Sequence, residues 1–147
     1  EVGHDLFGCF VQVACAAVVA QALPECEYVV FGCGGDRDRT KRPIMGKIGA
    51  ENADILIVTS DNPRSEDPEC IVSEIEAGVV TGLKRGRHYE VITDRRAAIM
   101  RAVEIAESGD IVLIAGKGHE VGQLIDGVTH HFDDREELRA ALEGRDQ

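Results

Sequence analysis

The sequence predicts an α/β protein of the Rossmann-like, doubly wound type, with a mostly parallel sheet and an antiparallel edge hairpin. Three observations carry this expectation. Four short apolar runs, Tyr28 to Phe31, Ile55 to Val58, Tyr89 to Ile92 and Ile111 to Ala115, alternate with stretches of helical length. Three of these runs stop at polar loops rich in glycine or proline, as strands do where an open sheet carries its ligands. A final pair of runs, Gln123 to Ile125 and Val128 to His131, flanks Asp126-Gly127, a strong two-residue hairpin signal.

Taken in order, Gly8 to Leu23 is Ala- and Val-rich, of helix length, and stopped by Pro24. It is shorter than a membrane span, contains Gln12 and Gln21, and lacks a basic lead-in, so a buried helix is expected. The strand Tyr28 to Phe31 leads into Gly32-Cys33-Gly34-Gly35, whose glycines permit tight turns and close backbone approach. After the charge-dense run Asp36 to Arg42, Pro43 suits the first turn of a helix over Ile44 to Asn52, with Ile44, Ile48 and Glu51 on adjoining faces. Ile55 to Val58 reads as a buried parallel strand. A helix from Glu69 to Gly78 follows, with Ile71, Ile75 and Val79 as its apolar stripe, and Gly82 and Gly86 mark a loop. Thr93 or Asp94 can cap a helix from Arg95 to Glu107 that turns Ile99, Val103 and Ala106 inward. The last strand of the series ends at Gly116-Lys117-Gly118-His119-Glu120. Asp133 and Asp134, which cap and complement the dipole, open a final helix from Arg135 to Leu142.

A chain of 147 residues fits one domain with a real core. A formal net charge of -11 argues against a nucleic-acid partner, which would favour clustered Lys and Arg. Cys9, Cys15, Cys26, Cys33 and Cys70 form an odd set without CxxC spacing, so reduced thiols and a cytoplasmic location are expected rather than a disulfide framework or a zinc site. His4, His88, His130 and His131 have no metal-ligand spacing. No Gly-x-Ser-x-Gly elbow is present and Cys33 has no His nearby in sequence, so no nucleophile is assigned.

The chemistry concentrates in three loops. Pro63 pushes Asn62 toward an extended conformation, so Asp61, Asn62 and Arg64 should stand just past the end of a strand. A guanidinium can grip a carboxylate while a carboxylate takes an ammonium, so the set suits a zwitterion, although Asp-Asn-Pro is also ordinary turn chemistry. The loop Gly32 to Arg42 has glycines and basic residues but neither the GxxxxGK[ST] nor the GxGxxG order, and a charged solvated loop would look the same. Lys117, His119 and Glu120 offer three protonation chemistries beside two glycines; a helix-entry turn is the alternative.

Read together, Val29-Val30-Phe31-Gly32-Cys33-Gly34-Gly35-Asp36-Arg37-Asp38 with Lys41-Arg42-Pro43, then Asp61-Asn62-Pro63-Arg64, then Ala115-Gly116-Lys117-Gly118-His119-Glu120 resemble the Mur ligase family. The resemblance is to the C-terminal, amino-acid-binding domain of its meso-diaminopimelate-adding branch. It covers roughly Tyr28 to Leu142, so the chain is expected to be one such domain over 1–147, with 1–27 diverging from the family pattern. The resemblance implies that Arg42, Asp61, Asn62, Pro63, Arg64, Gly116 and Glu120 bind the amino-acid substrate. It places His4, Asp36 and Lys41 toward the nucleotide, and makes Gly34, Gly35, Arg37, Lys117 and His119 supporting loop residues. It also implies ATP and Mg2+, bound mainly by a central ATPase domain of the same enzyme, and meso-diaminopimelate and UDP-N-acetylmuramoyl dipeptide as substrates in peptidoglycan biosynthesis. The expected role is positioning, with no catalytic residue in this chain and no activity from it alone. A non-catalytic module that kept the fold and a folylpolyglutamate-type ligase are the alternatives.

Overall fold

The computed structural model describes residues 26–145, and the helix expected over Gly8 to Leu23 lies outside them. The described elements are β1 (Glu27–Phe31), α1 (Lys41–Asn52), β2 (Ile55–Val58), α2 (Pro68–Gly82), β3 (His88–Val91), α3 (Arg95–Ile105), β4 (Ile111–Ile114), β5 (Gly122–Ile125), β6 (Val128–His131) and α4 (Asp134–Arg145). The first four strands form one parallel sheet in the order β3-β2-β1-β4. Val29 of β1 sits between Leu56 and Leu113, in the middle of the sheet.

Successive strand residues point to opposite faces, which splits the core in two. Val29, Phe31, Leu56 and Val58 pack against Met45 and Ala50 of α1 and Ile71, Ile75 and Val79 of α2. Val30 and Ile57 face the other way, onto Ala98 and Ala102 of α3. With both faces covered, β1 from Tyr28 onward and β2 are continuous apolar runs, as a parallel sheet requires. α4 lies on α3, where Arg96 pairs with Glu137 and Arg145 donates to the Val103 carbonyl at 2.8 Å.

Helix α1 starts at Lys41, earlier than the Ile44 expected, so Arg42 is helical and Pro43 occupies the third position, where no intrahelical N–H bond is lost. Ile44 does not face the core. It is 47% exposed, and α1 instead turns Met45, Gly46, Gly49 and Ala50 inward. The reason is the contact with α2, which is made backbone to backbone. A Cβ on Gly46 would lie 2.1 Å from the Ile75 carbonyl oxygen, and one on Gly78 only 1.7 Å from that of Pro43. Gly82, expected in a loop, is the last residue of α2 and rests on the Lys47 carbonyl in the same manner.

The hairpin forms as expected across Asp126-Gly127, with both turn residues at positive φ, but it is a separate two-stranded sheet rather than an added edge strand. Its backbone is engaged by the loop after β2. Arg64 N–H donates to the Leu124 carbonyl (2.9 Å) and Asp126 N–H to the Arg64 carbonyl (2.7 Å).

A buried charge network ties α1 to α2. Arg42 is 1% exposed and donates to both oxygens of Glu66 (2.8 and 2.9 Å), to Glu74 (2.8 Å) and to the Gly34 carbonyl (3.1 Å). Arg39 also pairs with Glu74. The Arg42 hydrogen bonds hold the Glu66 carboxyl at about 2, below its ordinary 4.5, helped by the Asp36 backbone N–H; Arg39 and then Arg42 lower Glu74.

Two outcomes are expected from this packing. Gly78→Ala should lower the stability to urea by about 1–3 kcal/mol, although Ala normally favours a helix interior over Gly by about 1 kcal/mol. Gly144→Ala in α4, with open space at the Cβ, should move the other way, and equal signs for the two would refute the backbone-contact account. Because the Glu66 pKa is depressed in the folded protein, its contribution is complete above about pH 4.5 and disappears as pH falls toward about 2. Urea midpoints across that window should fall less steeply for Glu66→Gln than for the unaltered chain.

Candidate functional site

Four parallel strands bring their carboxyl ends to one edge, and the order β3-β2-β1-β4 reverses direction between β1 and β4. Ligands of open α/β sheets bind at such a reversal. The loops after β1, β2 and β4 meet there, so the three polar loops share one edge.

The first two loops are joined backbone to backbone. Gly35 N–H donates to the Asn62 carbonyl (2.8 Å), and a Cβ on Gly35 would stand 1.8 Å from the Pro63 oxygen, so only glycine fits. Asp36, at φ 53°, accepts from the Ser65 hydroxyl (2.6 Å) and backbone (3.3 Å), while its own N–H donates to Glu66 (2.6 Å). Arg64 is also in the left-handed region, at φ 54°, a conformation held by its two backbone bonds to the hairpin. That twist carries its guanidinium back to the Gly35 carbonyl at 2.7 Å. Among the described residues Arg64 has no carboxylate partner.

The second and third loops are joined through side chains. Lys117 is 2% exposed and donates to Asn62 Oδ1 (2.9 Å) and the Gly122 carbonyl (2.8 Å), with Asp61 Oδ1 at 3.3 Å and Glu120 Oε2 at 3.8 Å. Asn62 Nδ2 donates to Glu120 Oε2 at 3.0 Å. Gly116, at φ 120°, brings its backbone beside the Asp61 carboxylate. Asp61 Oδ1 is buried and faces the Lys117 ammonium at 3.3 Å, so this oxygen is turned into the loop junction.

The residues expected to bind substrate thus divide. Asp61, Asn62, Arg64, Gly116 and Glu120 are brought together at the loop junction, with Pro63 buried beneath it. Arg42 lies below loop one, where the two glutamates and Gly34 take up its Nη donors. Arg37 is exposed, and its Cγ and the Arg64 Nη1 both flank the Cβ position of Gly34, at 3.6 and 2.6 Å. Of the residues expected near the nucleotide, Asp36 fastens loop one to Ser65, Lys41 is the first residue of α1, and His4 lies outside the described residues. His119 is exposed. No group of three or more His, Cys, Asp or Glu among the described residues could hold a metal ion.

The sequence pattern missed Arg95. Its buried guanidinium forks onto Asp134 (2.7 and 2.8 Å) and donates to the Ser60 (3.2 Å) and Ala115 (3.0 Å) carbonyls, so it fixes the spacing of the second and third loops from below. Asp133 is the capping residue, accepting from Arg135 N–H at 2.9 Å. One cap suffices for one helix, so the second aspartate of the pair was the available signal. A cleft of about 550 Å³ opens nearby, lined by residues including Ser60, Pro63, Thr93, Gln123 and Phe132, but Asp61, Asn62 and Arg64 do not line it.

An acceptor at Asp61, a guanidinium at Arg64 and an amide between them match a ligand carrying both an ammonium and a carboxylate. Comparison with known proteins identifies the family. Residues 12–118 match the family described as Mur ligase, glutamate ligase domain. The chain is 61% identical over 114 residues to the UDP-N-acetylmuramoyl-L-alanyl-D-glutamate--2,6-diaminopimelate ligase of Chlorobaculum tepidum, covering 78% of this chain and 22% of that protein. The enzyme of the same name from Corynebacterium glutamicum is 58% identical over 117 residues, 78% of this chain and 23% of that one. A solved structure of a ligase with this name superposes with a TM-score of 0.84 at 42% identity, over 95% of this chain and 28% of the other. The chain therefore spans about a fifth to a quarter of the length of the relatives it matches. On the family match and the shared fold, the chain belongs to the Mur ligase family.

Proposed function

We propose that this domain forms the amino-acid site of an ATP-dependent ligase that adds meso-diaminopimelate to UDP-N-acetylmuramoyl-L-alanyl-D-glutamate in peptidoglycan biosynthesis. The observation that carries the reading is Arg64, a guanidinium held by backbone strain and a carbonyl at the loop junction, unpaired with any carboxylate of the described residues. Diaminopimelate differs from lysine by one carboxylate. A guanidinium waiting there pairs with the first ligand and is left unpaired by the second, which is the stronger kind of discrimination. The names of the similar proteins support the same substrate.

In this role the domain orients the attacking amine and excludes misfitting amino acids; it contributes positioning and electrostatics rather than a covalent group. Arg64 takes the distal carboxylate, Asp61 offers its carboxylate to an ammonium, and Asn62, Gly116 and Glu120 shape the rest. Arg37 fits the place of second guanidinium better than Arg42, since Arg37 is exposed beside Arg64 and Arg42 is buried beneath the loop. ATP and Mg2+ are assigned mainly to the central ATPase domain of the enzyme, with Asp36 and Lys41 on the side of this domain that faces the nucleotide. A nucleotide-linked precursor places the reaction in the cytoplasm. No helix among the described residues is long and apolar enough to cross a membrane.

In a whole ligase carrying this domain, Arg64→Ala should lower the kcat/KM ratio of meso-diaminopimelate over lysine by about 2–5 kcal/mol, roughly 30-fold to several thousand-fold. Arg37→Ala should lower the same ratio by a smaller factor. Arg42→Met should reduce thermal stability and leave the ratio in place. A ratio unchanged by Arg64→Ala would make Arg64 a turn residue and sink the assignment.

A further inference from the structure

We propose that Lys117 is a positioning residue: from beneath the site its ammonium fixes which way the Asn62 amide faces, and so sets the donor and acceptor pattern that the ligand meets. The inference rests on the amino-acid-site reading above. Gly116 and Gly118 both lie at positive φ, 120° and 57°, and between them the Lys117 side chain runs under the loop into a fully enclosed position. An ammonium has donors only, and so has a backbone N–H. Lys117 Nζ at 2.9 Å and Leu124 N–H at 3.0 Å both address the same atom of Asn62, so that atom must be Oδ1. Nδ2 is left to turn toward Glu120 Oε2 at 3.0 Å.

The same ammonium holds the Gly122 carbonyl at the start of β5 and faces the Asp61 and Glu120 carboxylates. One buried charge thus gathers three of the groups assigned to the ligand without touching the ligand itself. Without it, the amide would be kept from reversing by Leu124 N–H and by the exposed Glu120 carboxylate alone, and Asn62 could present an acceptor where it now presents a donor. A purely structural role would predict lost stability alone. A positioning role predicts a change at the Asn62 side chain and in ligand choice while the fold persists.

The test uses the 147-residue chain and isotope-edited NMR, with meso-diaminopimelate and lysine as the two probes. In Lys117→Met the Asn62 side-chain amide protons should shift and lose their protection from exchange, while the backbone spectrum of β1, β2 and α3 keeps its dispersion. The affinity ratio of meso-diaminopimelate over lysine should fall by about tenfold. An Asn62 amide that is unmoved in a folded Lys117→Met overturns the proposal. If that variant does not fold, the unaltered chain decides: a buried ammonium donating to Asn62 Oδ1 and the Gly122 carbonyl and facing two carboxylates exchanges slowly enough to give a resonance of its own, and rapid exchange at neutral pH overturns the proposal. Equal binding of both probes by the unaltered chain would sink the substrate reading alone, since the amide measurement does not depend on it.

Discussion

The contact on which the site depends is the one between Gly35 and Pro63, where two loop backbones meet with no room for a single carbon atom between them. It joins the exit of β1 to the exit of β2. From that junction, Gly35 receives Arg64 on its carbonyl and supplies its N–H to Asn62. The residues that face a ligand are therefore positioned by a contact that has no side chain on one side. Arg42 and Glu66 reinforce it from below, and the hairpin reinforces it from the flank by holding Arg64 in the left-handed region. Strain of this kind persists only where neighbours over-determine it, and here they do.

Much of this was legible in the sequence because the signals were local. The run Ile55 to Val58 is β-branched and bounded by polar residues, and it is β2 to the residue. Asp126-Gly127 closes the hairpin for the reason its dipeptide suggests. Polar loops after apolar strands gave the shared edge, and a parallel sheet leaves them no other place. The start of α1 falls earlier than the sequence suggests because Pro43, which reads as opening the first turn, is the third residue of a helix that begins just after Thr40. Its buried face gave little apolar signal to read, because the contact with α2 is made by glycines.

The roles of the arginines were hidden for a different reason. Arg37, Arg39 and Arg42 stand within one charged run, and nothing local tells which of them turns under the loop. The answer lies with Glu66 and Glu74, 24 and 32 residues away. Arg95 finds Asp134 at a separation of 39 residues, and its other partners are backbone carbonyls that have no residue-type signature. Long-range pairs between charged residues are the part of a structure that pattern reading reaches last.

The glycine contacts between α1 and α2 have a mechanical consequence. Helices that touch through their backbones cannot slide past one another on soft side chains, so the pair acts as a single slab. Loop one hangs from the near end of that slab, and Glu66, just ahead of α2, is clamped to it through Arg42. Loops one and two therefore travel together in any closing movement of the domain. The compliant seam lies elsewhere, along the side-chain bonds of Asn62, Lys117 and Glu120 that join the second loop to the third.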